Sequence, residues 1–359
     1  MPTKKPHKSA LKDKEGISIN EITNAAAIAK FKARRSENIS AEKLASSIIN
    51  GDTIALSRAI TLIESSNPEH TEKANAVLNL CLPHANNSIR IGITGVPGVG
   101  KSTFIEALGN TIANKENKLA VLAVDPSSSV TKGSILGDKT RMEDLVKNEH
   151  VYIRPSPAGS SLGGVAQKTR ESIILCEACG FKTIFIETVG VGQSETAVHS
   201  MVDFFLLLKL AGAGDELQGI KRGIIELADA IVINKADGDN LKKAKIAKTE
   251  FNRALHLYPP KKNGWIPKVL LTSATENTGI QKVWELLEEY IQKSKSDDDF
   301  INKRKEQNKF WLYQTINDRI KSNFYQNKKI KEALEIQIKA IELNKTTPFA
   351  AAQYLLTLL

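Results

Sequence analysis

The segment Gly95-Val-Pro-Gly-Val-Gly-Lys-Ser-Thr103 constrains the fold of this chain more than any other stretch. It follows the alternating apolar residues Ile89, Ile91 and Ile93 and precedes a helical pattern over residues 104–109. A glycine-rich turn between a strand and a helix, ending in Gly-Lys-Ser, matches the P-loop, whose backbone N–H groups surround a polyphosphate. The sequence therefore predicts a nucleoside triphosphate site at the N-terminus of this helix.

Each position of the loop has an expected role. Lys101 is expected to contact the outer phosphates, and the Ser102 hydroxyl is expected to ligate Mg²⁺. The other residues are expected to line the phosphates: Gly95, Val96, Pro97, Gly98, Val99, Gly100 and Thr103. A chance glycine-rich turn is the alternative, and the strand–helix context argues against it.

Short apolar runs alternate with helical patterns between residues 86 and 291, which is typical of α/β proteins. Most of the runs lack polar alternation, as expected for parallel strands that helices cover on both faces. The predicted strands are residues 90–94, 119–124, 151–154, 183–186, 204–208, 230–233 and 269–271. The expected fold is α/β: a P-loop NTPase with a mostly parallel sheet flanked by helices, plus helical extensions at both ends.

Three further regions flank this predicted α/β domain. Residues 1–37 are a polar N-terminal tail, and residues 38–85 have a helical pattern in which helices are expected from Ser40, over 54–63 and over 74–82. Residues 292–359 form a helical arm with an aromatic face, defined by Phe310, Tyr313, Ile316, Ile320 and Phe324. Such an arm either folds back on the core or packs against a second subunit.

The net charge of +10 is concentrated at the two ends of the chain. Residues 1–37 and residues 291–359 each carry +5, which leaves the part between them neutral. We interpret the excess positive charge as solvated helical surface, with a basic docking arm for an acidic protein as the alternative. We predict no nucleic-acid partner, because no nucleic-acid-binding motif accompanies the charge.

The chain has neither an apolar run long enough for a membrane span nor a signal-peptide core, so a cytoplasmic protein without a membrane partner is expected.

Cys176 and Cys179 form a C-x-x-C pattern within a predicted helix. A redox or zinc site would need a suitable turn or a second cysteine pair, and only Cys81 remains. Two small residues on a buried helix face are the favoured interpretation, in a chain that is expected to stay reduced.

The segment Asn234-Lys-Ala-Asp237 follows a predicted strand and matches the guanine-reading N-K-x-D pattern. An Asp237 carboxylate can accept hydrogens from guanine N1–H and the exocyclic amine together, whereas adenine presents an acceptor at N1. Lys235 is expected to pack over the base and brace the P-loop, and Asn234 to tie the loops together. The sequence therefore predicts GTP rather than ATP.

A second loop is expected at the same base. Ser273, Ala274 and Thr275 follow the predicted strand 269–271, where backbone N–H groups can reach guanine O6.

Carboxylates at strand ends provide candidates for the Mg²⁺ shell and for catalysis. Glu187 follows the strand 183–186, where many P-loop enzymes place an acidic residue, and Gly190 three residues on would approach the γ-phosphate. Asp125 and Asp138 are further candidates for the metal or the attacking water, with helix capping as the alternative. Gln193 is a weak candidate for water positioning.

Five segments in this order closely resemble the MeaB/ArgK family of P-loop GTPases, which includes the human methylmalonic aciduria type A protein. They are Val96-Pro-Gly-Val-Gly-Lys-Ser-Thr103, Val124-Asp-Pro-Ser-Ser128, Gly133-Ser-Ile-Leu-Gly-Asp-Lys-Thr-Arg-Met142, Glu187-Thr-Val-Gly-Val-Gly-Gln-Ser-Glu195 and Gly214-Asp-Glu-Leu-Gln-Gly-Ile-Lys-Arg-Gly223. The resemblance runs from about residue 41 to the C-terminus.

The resemblance implies a homodimeric GTPase chaperone that gates adenosylcobalamin delivery to methylmalonyl-CoA mutase, or a close acyl-CoA mutase, and protects or reactivates it. It gives phosphate, Mg²⁺ and catalytic roles to Lys101, Ser102, Asp125, Asp138 and Glu187. A loop that signals to the partner is implied by Asp215, Glu216, Gln218, Lys221 and Arg222, and residues 292–359 match a dimerisation arm. Slow intrinsic turnover that the partner accelerates is expected.

Two other functions remain open: a nucleotide-dependent ATPase or kinase associated with amino-acid transport, and a nickel-type metallochaperone GTPase. The first requires ATP selectivity and a membrane partner, and the second a histidine-rich tract that six scattered histidines do not supply.

Overall fold

Seven parallel strands form one sheet in the computed structural model, which describes residues 39–65, 67–124, 142–155, 162–188, 194–212 and 222–358. The strands are β1 Ile89–Gly95, β2 Leu119–Val124, β3 Val151–Arg154, β4 Thr183–Thr188, β5 Phe204–Leu210, β6 Ala230–Asn234 and β7 Lys268–Leu271. Their order is β3-β2-β4-β1-β5-β6-β7, so β1 lies centrally between β4 and β5. The predicted α/β fold is confirmed.

We call the side on which all strands end the carboxyl edge and the opposite side the amino edge. Every predicted strand is present, and the bounds differ by at most two residues at either end. Apolar runs identified these strands because helices cover both faces of the sheet, which leaves β5 and β6 almost fully buried.

The helices that alternate with these strands are α4 Lys101–Ile112, α5 Glu143–Lys147, α6 Leu162–Ala178, α7 Ser194–His199, α8 Arg222–Leu227, α9 Leu241–Leu255 and α10 Ile280–Ser296. One face of the sheet packs on α4 and α10 through a cluster that includes Phe104, Leu108 and Leu287. Phe251 of α9 and Ile231 of β6 belong to a second cluster. The sheet is thereby held rigidly beneath its carboxyl-edge loops.

Within the described part of the chain, three α-helices precede the sheet: α1 Ala41–Ile49, α2 Thr53–Glu64 and α3 Pro68–Cys81. Helix α3 begins six residues earlier than the expected start at residue 74. The reason is that Asn67 caps the helix through a side-chain hydrogen bond from Glu69 N, and Pro68 occupies the first turn, where proline is tolerated. Asn67-Pro68 is a helix start as well as a break.

The expected burial of the C-x-x-C cysteines is confirmed. Cys176 in α6 and Cys179 just after it are buried and unbridged, as is Cys81. Burial raises the pKa of the Cys179 thiol to about 11, so this thiol stays protonated near neutral pH.

The chain ends in α11 Asp299–Gln326, α12 Lys328–Glu342 and α13 Pro348–Leu356. The first turns of α11 bind the amino edge of the sheet. Arg304 forms a bidentate pair with Asp203 at 2.7 and 2.9 Å and donates to Ser88 O at 2.7 Å. Farther along the same helix, Tyr313 and Ile320 are more than half exposed. The arm is thus anchored at its start and carries apolar side chains on its surface beyond.

Candidate nucleotide site

The P-loop lies at the carboxyl edge, between the end of β1 and the start of α4. Gly100 precedes the helix with φ 91°, a left-handed conformation that favours glycine. A Cβ on this residue would lie 2.8 Å from Asn234 Nδ2, so glycine is also required by close packing. The helix lacks a side-chain cap at this end, which directs its first N–H groups toward the loop, where an anion is favoured.

Lys101 extends back across the loop from the first position of α4. Its Nζ donates to Gly95 O at 2.8 Å and to Val96 O at 3.3 Å. Ser102, half-buried, and Thr103, exposed, follow it in the first helical turn. The ammonium and the hydroxyls therefore lie at the mouth that a polyphosphate would occupy.

The Asn234-Lys235 pair at the end of β6 holds the P-loop from the adjacent side. Buried Asn234 donates from Nδ2 to Val99 O at 2.9 Å, and Lys235 Nζ donates to Gly98 O at 2.9 Å. Asn234 and Val99 are 135 residues apart in the chain, and the hydrogen bonds fix the position of the Asn234–Asp237 turn relative to the P-loop.

Two residues that the sequence analysis did not single out complete this contact. Thr272 Oγ1 donates to Asn234 Oδ1 at 3.1 Å within the buried interior, and Asn240 Nδ2 donates to Lys235 O at 2.6 Å. Lys235 itself has a positive φ of 56°. In the sequence, only the position of Thr272 beside Ser273 points to this contact. A threonine hydroxyl has many possible partners, so the sequence alone does not identify Asn234 as the one it binds.

Asp237 and Ser273 meet where the sequence predicts the guanine base. The Ser273 hydroxyl donates to Asp237 Oδ2, accepts from Glu276 N at 3.2 Å, and lies 3.2 Å from Thr275 Oγ1. Asp237 is half-buried, whereas Ser273 is fully buried. The Ser273 hydroxyl thus orients the Asp237 carboxylate, and part of the carboxylate surface stays accessible to a ligand.

A glycine fixes the return of the Ser273–Thr275 loop. Gly279 has φ 77°, and a Cβ there would lie 2.3 Å from Leu271 O, too close for any other residue without a backbone shift. Ser273 and Thr278 close the loop by two backbone hydrogen bonds of 3.0 Å. Ala274, half-buried, lies within this closed turn.

Glu187 lies in β4, next to β1, and pairs in register with Ile93. It is half-buried, and the following Thr188 donates to Thr94 Oγ1 at 2.7 Å in the interior. The Glu187 carboxylate and the Ser102 hydroxyl offer the hard oxygen donors that Mg²⁺ prefers. Among the residues that the structure describes, no group of three or more His, Cys, Asp or Glu side chains forms a metal site.

Several predicted site residues lie outside the described residues: Asp125, Asp138, Gly190, Gln193, Asp215, Glu216, Gln218 and Lys221. Arg222 is the first residue of α8, and only its backbone is described. The 1–37 tail is likewise outside the described ranges. Roles for these residues stay predictions.

The comparison with known protein families identifies the chain. The model described as "Methylmalonyl Co-A mutase-associated GTPase MeaB" matches residues 56–329. The chain belongs to the MeaB family of GTPases. As a member of this family it is a GTP hydrolase.

Relatives of known sequence and structure support this membership. A protein described as a probable GTPase of Mycobacterium tuberculosis is 49% identical over 316 residues, which cover 87% of this chain and 93% of the relative. The mouse protein described as methylmalonic aciduria type A homolog, mitochondrial, is 40% identical over 325 residues, covering 88% of this chain and 78% of that one. A crystal structure described as an LAO/AO transport system kinase matches with a TM-score of 0.72 and 34% identity, covering 90% of this chain and 98% of the other.

Within the described residues, the helices are either too short or too polar to cross a membrane.

Proposed function

We propose that this GTPase is a chaperone of methylmalonyl-CoA mutase, or of a close acyl-CoA mutase, that gates adenosylcobalamin delivery and protects or reactivates the enzyme. The observation that carries the proposal is the pair of hydrogen bonds that joins the P-loop to the Asn234–Lys235 turn, in a chain of the MeaB family. The family description names a mutase association, and the mouse relative bears the name of a methylmalonic aciduria protein.

Phosphate recognition is assigned to the P-loop. The backbone from Gly95 to Gly100 surrounds the phosphates, and Lys101 exchanges its present carbonyl partners for phosphate oxygens. Mg²⁺, when bound, neutralises developing charge on the transferred phosphoryl group. Ser102 and Glu187, with Asp125 and Asp138, are the proposed oxygen ligands and catalytic residues.

Base selection is assigned to Asp237. Its carboxylate accepts from guanine N1–H and the exocyclic amine, while Ser273 holds the other side of the carboxylate. The Ser273–Thr275 backbone faces guanine O6, and the Lys235 stem covers the ring. An adenine in this position would leave the Asp237 carboxylate without donors, which disfavours ATP.

We assign the coupling between GTP hydrolysis and the mutase to loops near the phosphates. Gly190 senses the γ-phosphate, and the loop containing Asp215, Glu216, Gln218, Lys221 and Arg222 transmits the nucleotide state to the mutase. Intrinsic hydrolysis is proposed to be slow, because the free protein lacks a complete catalytic arrangement until its partner binds. The mutase accelerates it by ordering Lys221 or Arg222 near the phosphates.

The helical arm is proposed to form a homodimer. Beyond Trp311 the side chains of Tyr313, Ile316 and Ile320 are 45 to 67% exposed on α11, and further apolar residues are exposed on α12 and α13. A set of exposed apolar residues on consecutive helices is typical of an interface. Light scattering of a chain that ends after α11's anchoring turns, at residue 314, should show a monomer; an intact dimer would contradict the arm assignment.

Steady-state GTP hydrolysis with and without a cobalamin-dependent acyl-CoA mutase tests the proposal. We expect the mutase to raise kcat at least tenfold, and Lys221→Ala with Arg222→Ala to lose the stimulation while keeping the intrinsic rate. An unchanged rate at saturating mutase would contradict the chaperone function.

Capture from a native extract with GTP-loaded protein distinguishes the alternatives. An acyl-CoA mutase in the bound fraction supports the proposal, whereas a solute-transport component supports the ATPase or kinase alternative, and a nickel enzyme supports the metallochaperone alternative.

A further inference from the structure

Two threonine side chains meet inside the sheet directly beneath the P-loop. Thr94 precedes Gly95, the first residue of the P-loop, and Thr188 is the last residue of β4. Because Ile93 pairs in register with Glu187, the next residues of these two parallel strands lie side by side. The Thr188 hydroxyl donates to Thr94 Oγ1 at 2.7 Å, and both residues are buried.

The two hydroxyls are not required to fill space. Within the described sheet, the strand register places the threonine pair in one row with four apolar residues: Val124 of β2, Leu207 of β5, Ile231 of β6 and Val269 of β7. Valine has the same branched shape as threonine, so a valine pair would suit this apolar row. The hydrogen bond is therefore the property that distinguishes the pair from the rest of the row.

This hydrogen bond brings the ends of β1 and β4 closer together than apolar packing would. Its two oxygens lie 2.7 Å apart, whereas van der Waals contact would keep the methyl groups of a valine pair about 3.5–4.0 Å apart. The difference of about 1 Å acts at the residues next to Gly95 and Glu187. A misplacement of about 1 Å at reacting groups can slow an enzyme about 100-fold.

The other side of β1 is already fixed at this point. A Cβ on Gly95 would lie 2.7 Å from Leu208 O of β5, so the start of the P-loop packs tightly against that strand. Asn234 and Lys235 hold the P-loop itself from the end of β6. A wider spacing at the threonine pair would therefore displace the end of β4, which carries Glu187, relative to the P-loop.

We propose that the Thr94–Thr188 hydrogen bond positions the Glu187 carboxylate for GTP hydrolysis. Both threonines are buried beneath the site, so they are positioning residues that act through Glu187. This inference rests on the catalytic role proposed above for Glu187, and it identifies the residues that set the spacing between Glu187 and the P-loop.

Thr94→Val combined with Thr188→Val separates positioning from packing. Replacing both partners of a buried hydrogen bond by apolar groups of the same shape leaves no unsatisfied hydroxyl, so stability should be nearly unchanged. We expect this double variant to unfold at the urea concentration of the wild type and to keep its GTP affinity within about 2-fold, because the P-loop hydrogen bonds remain. Phosphate release should show a kcat at least about 10-fold lower. A wild-type kcat in the folded double variant would overturn the proposal.

Thr188→Ser tests whether the hydroxyl or the methyl group of Thr188 is responsible. Serine keeps the donor to Thr94 and removes one methyl group, so stability should fall while kcat stays within about 2-fold of the wild type. Thr188→Val keeps the shape and removes the donor, so its kcat should fall about as far as that of the double variant. If Thr188→Ser and Thr188→Val lose kcat equally, the effect comes from packing and the proposal is wrong.

Thr183 provides the matched control at the opposite end of β4. It is also buried, and its hydroxyl donates to Asn117 Oδ1 at 2.9 Å near the amino edge. Thr183→Val removes a hydrogen bond from the same strand, so it should lower stability and leave kcat unchanged. A kcat loss equal to that of Thr188→Val would show that any weakening of β4 slows hydrolysis, and would refute the specific role of the pair.

Glu187→Gln distinguishes this inference from the catalytic role on which it rests. We expect Glu187→Gln to lower kcat and the two valine substitutions to cause no further loss in that background, because residues that act through one group are not additive. A full further loss would show that the pair does not act through Glu187. If Glu187→Gln lowers kcat and the double valine variant does not, the positioning role alone is refuted. An unchanged kcat in Glu187→Gln refutes the catalytic role of Glu187 and the positioning role with it.

Discussion

At the carboxyl edge of the sheet, Asn234 and Lys235 bond to the backbone of a neighbouring loop; at the amino edge, Asp203 and Arg304 bond to each other. The first arrangement leaves Asp237 and Ser102 partly accessible, while the second leaves Arg304 and Asp203 nearly inaccessible. Polar groups at the carboxyl edge leave room for a ligand beside them, whereas polar groups at the amino edge neutralise each other and hold elements together.

A second ion pair at the amino edge follows the same rule. Arg90 binds Glu177 through two hydrogen bonds of 2.9 Å, and Ser88 Oγ donates to the same carboxylate at 2.6 Å. The Glu177 side chain is fully buried. Substitutions at the amino edge should therefore change stability, and substitutions at the carboxyl edge should change nucleotide chemistry.

The largest effect is expected from Arg304→Met. Removing the guanidinium leaves the Asp203 carboxylate buried with Arg90 N as its remaining close donor, which should lower the free energy of unfolding by about 3–5 kcal/mol. Urea unfolding measures this loss. Arg319→Met, on the exposed part of the same helix, is the matched control and should change stability by less than about 0.5 kcal/mol.

A double variant separates the lost charge pair from lost packing. Asp203→Asn with Arg304→Met should recover part of the stability of Arg304→Met, because the uncompensated charge is gone. If the double variant is no more stable than Arg304→Met alone, the pair is not what anchors α11.

Asp237→Asn should have the next largest effect, at the opposite edge. GTP affinity should fall about 100-fold and xanthosine triphosphate affinity should rise, because the amide donates where guanine also donates. The asparagine oxygen can still accept from Ser273, so stability should be unchanged. Calorimetric titration with both nucleotides checks this, with exposed Asp239→Asn as control. An unaltered base preference would contradict the assigned base position.

These two substitutions also mark how far sequence reasoning reaches. The P-loop and the Asn234–Asp237 motif were predictable because each is a short pattern at the end of an apolar strand, and parallel strands bring their ends to one edge. The Arg304–Asp203 pair was not, because its residues are 101 positions apart. We expected the charged start of the arm to be solvated, and Arg304 is instead 93% buried.

Arg304 is buried because it pairs with Asp203, and no local sequence pattern predicts this pair. Asp203 precedes β5 by one residue, where a carboxylate reads equally well as a loop residue or a cap. Thr272 and Gly279 were missed for a related reason: their importance lies in contacts with Asn234 and Leu271 O, which only the assembled sheet defines.

A smaller, pH-dependent effect is expected at the amino edge from His199. Its folded pKa of about 4 lies below the ordinary value of 6.5, so the unfolded chain takes up the proton first as pH falls. Stability from this group is therefore fully present above pH 6.5 and is lost toward pH 4, by about 1–2 kcal/mol at pH 5. His199→Phe should flatten the pH dependence of urea unfolding over this interval, while exposed His256→Phe should not. Identical slopes in wild type and His199→Phe would show that the imidazole titrates normally.

The smallest effect is expected from Thr272→Val at the carboxyl edge. This substitution tests whether a buried polar group at that edge affects GTP binding as well as stability. The substitution keeps the shape of the side chain but removes the 3.1 Å hydrogen bond to Asn234 Oδ1, so Asn234 holds Val99 less firmly. One such bond contributes about 1 kcal/mol. Because Asn234 positions the P-loop, we expect GTP affinity to fall about 3- to 5-fold, together with a stability loss of similar free energy. Exposed Thr249→Val on α9 should change neither quantity. A loss of stability without any loss of GTP affinity would show that Thr272 has a purely structural role, like the polar groups of the amino edge. It would also show that Asn234 holds the P-loop in place without its hydrogen bond from Thr272.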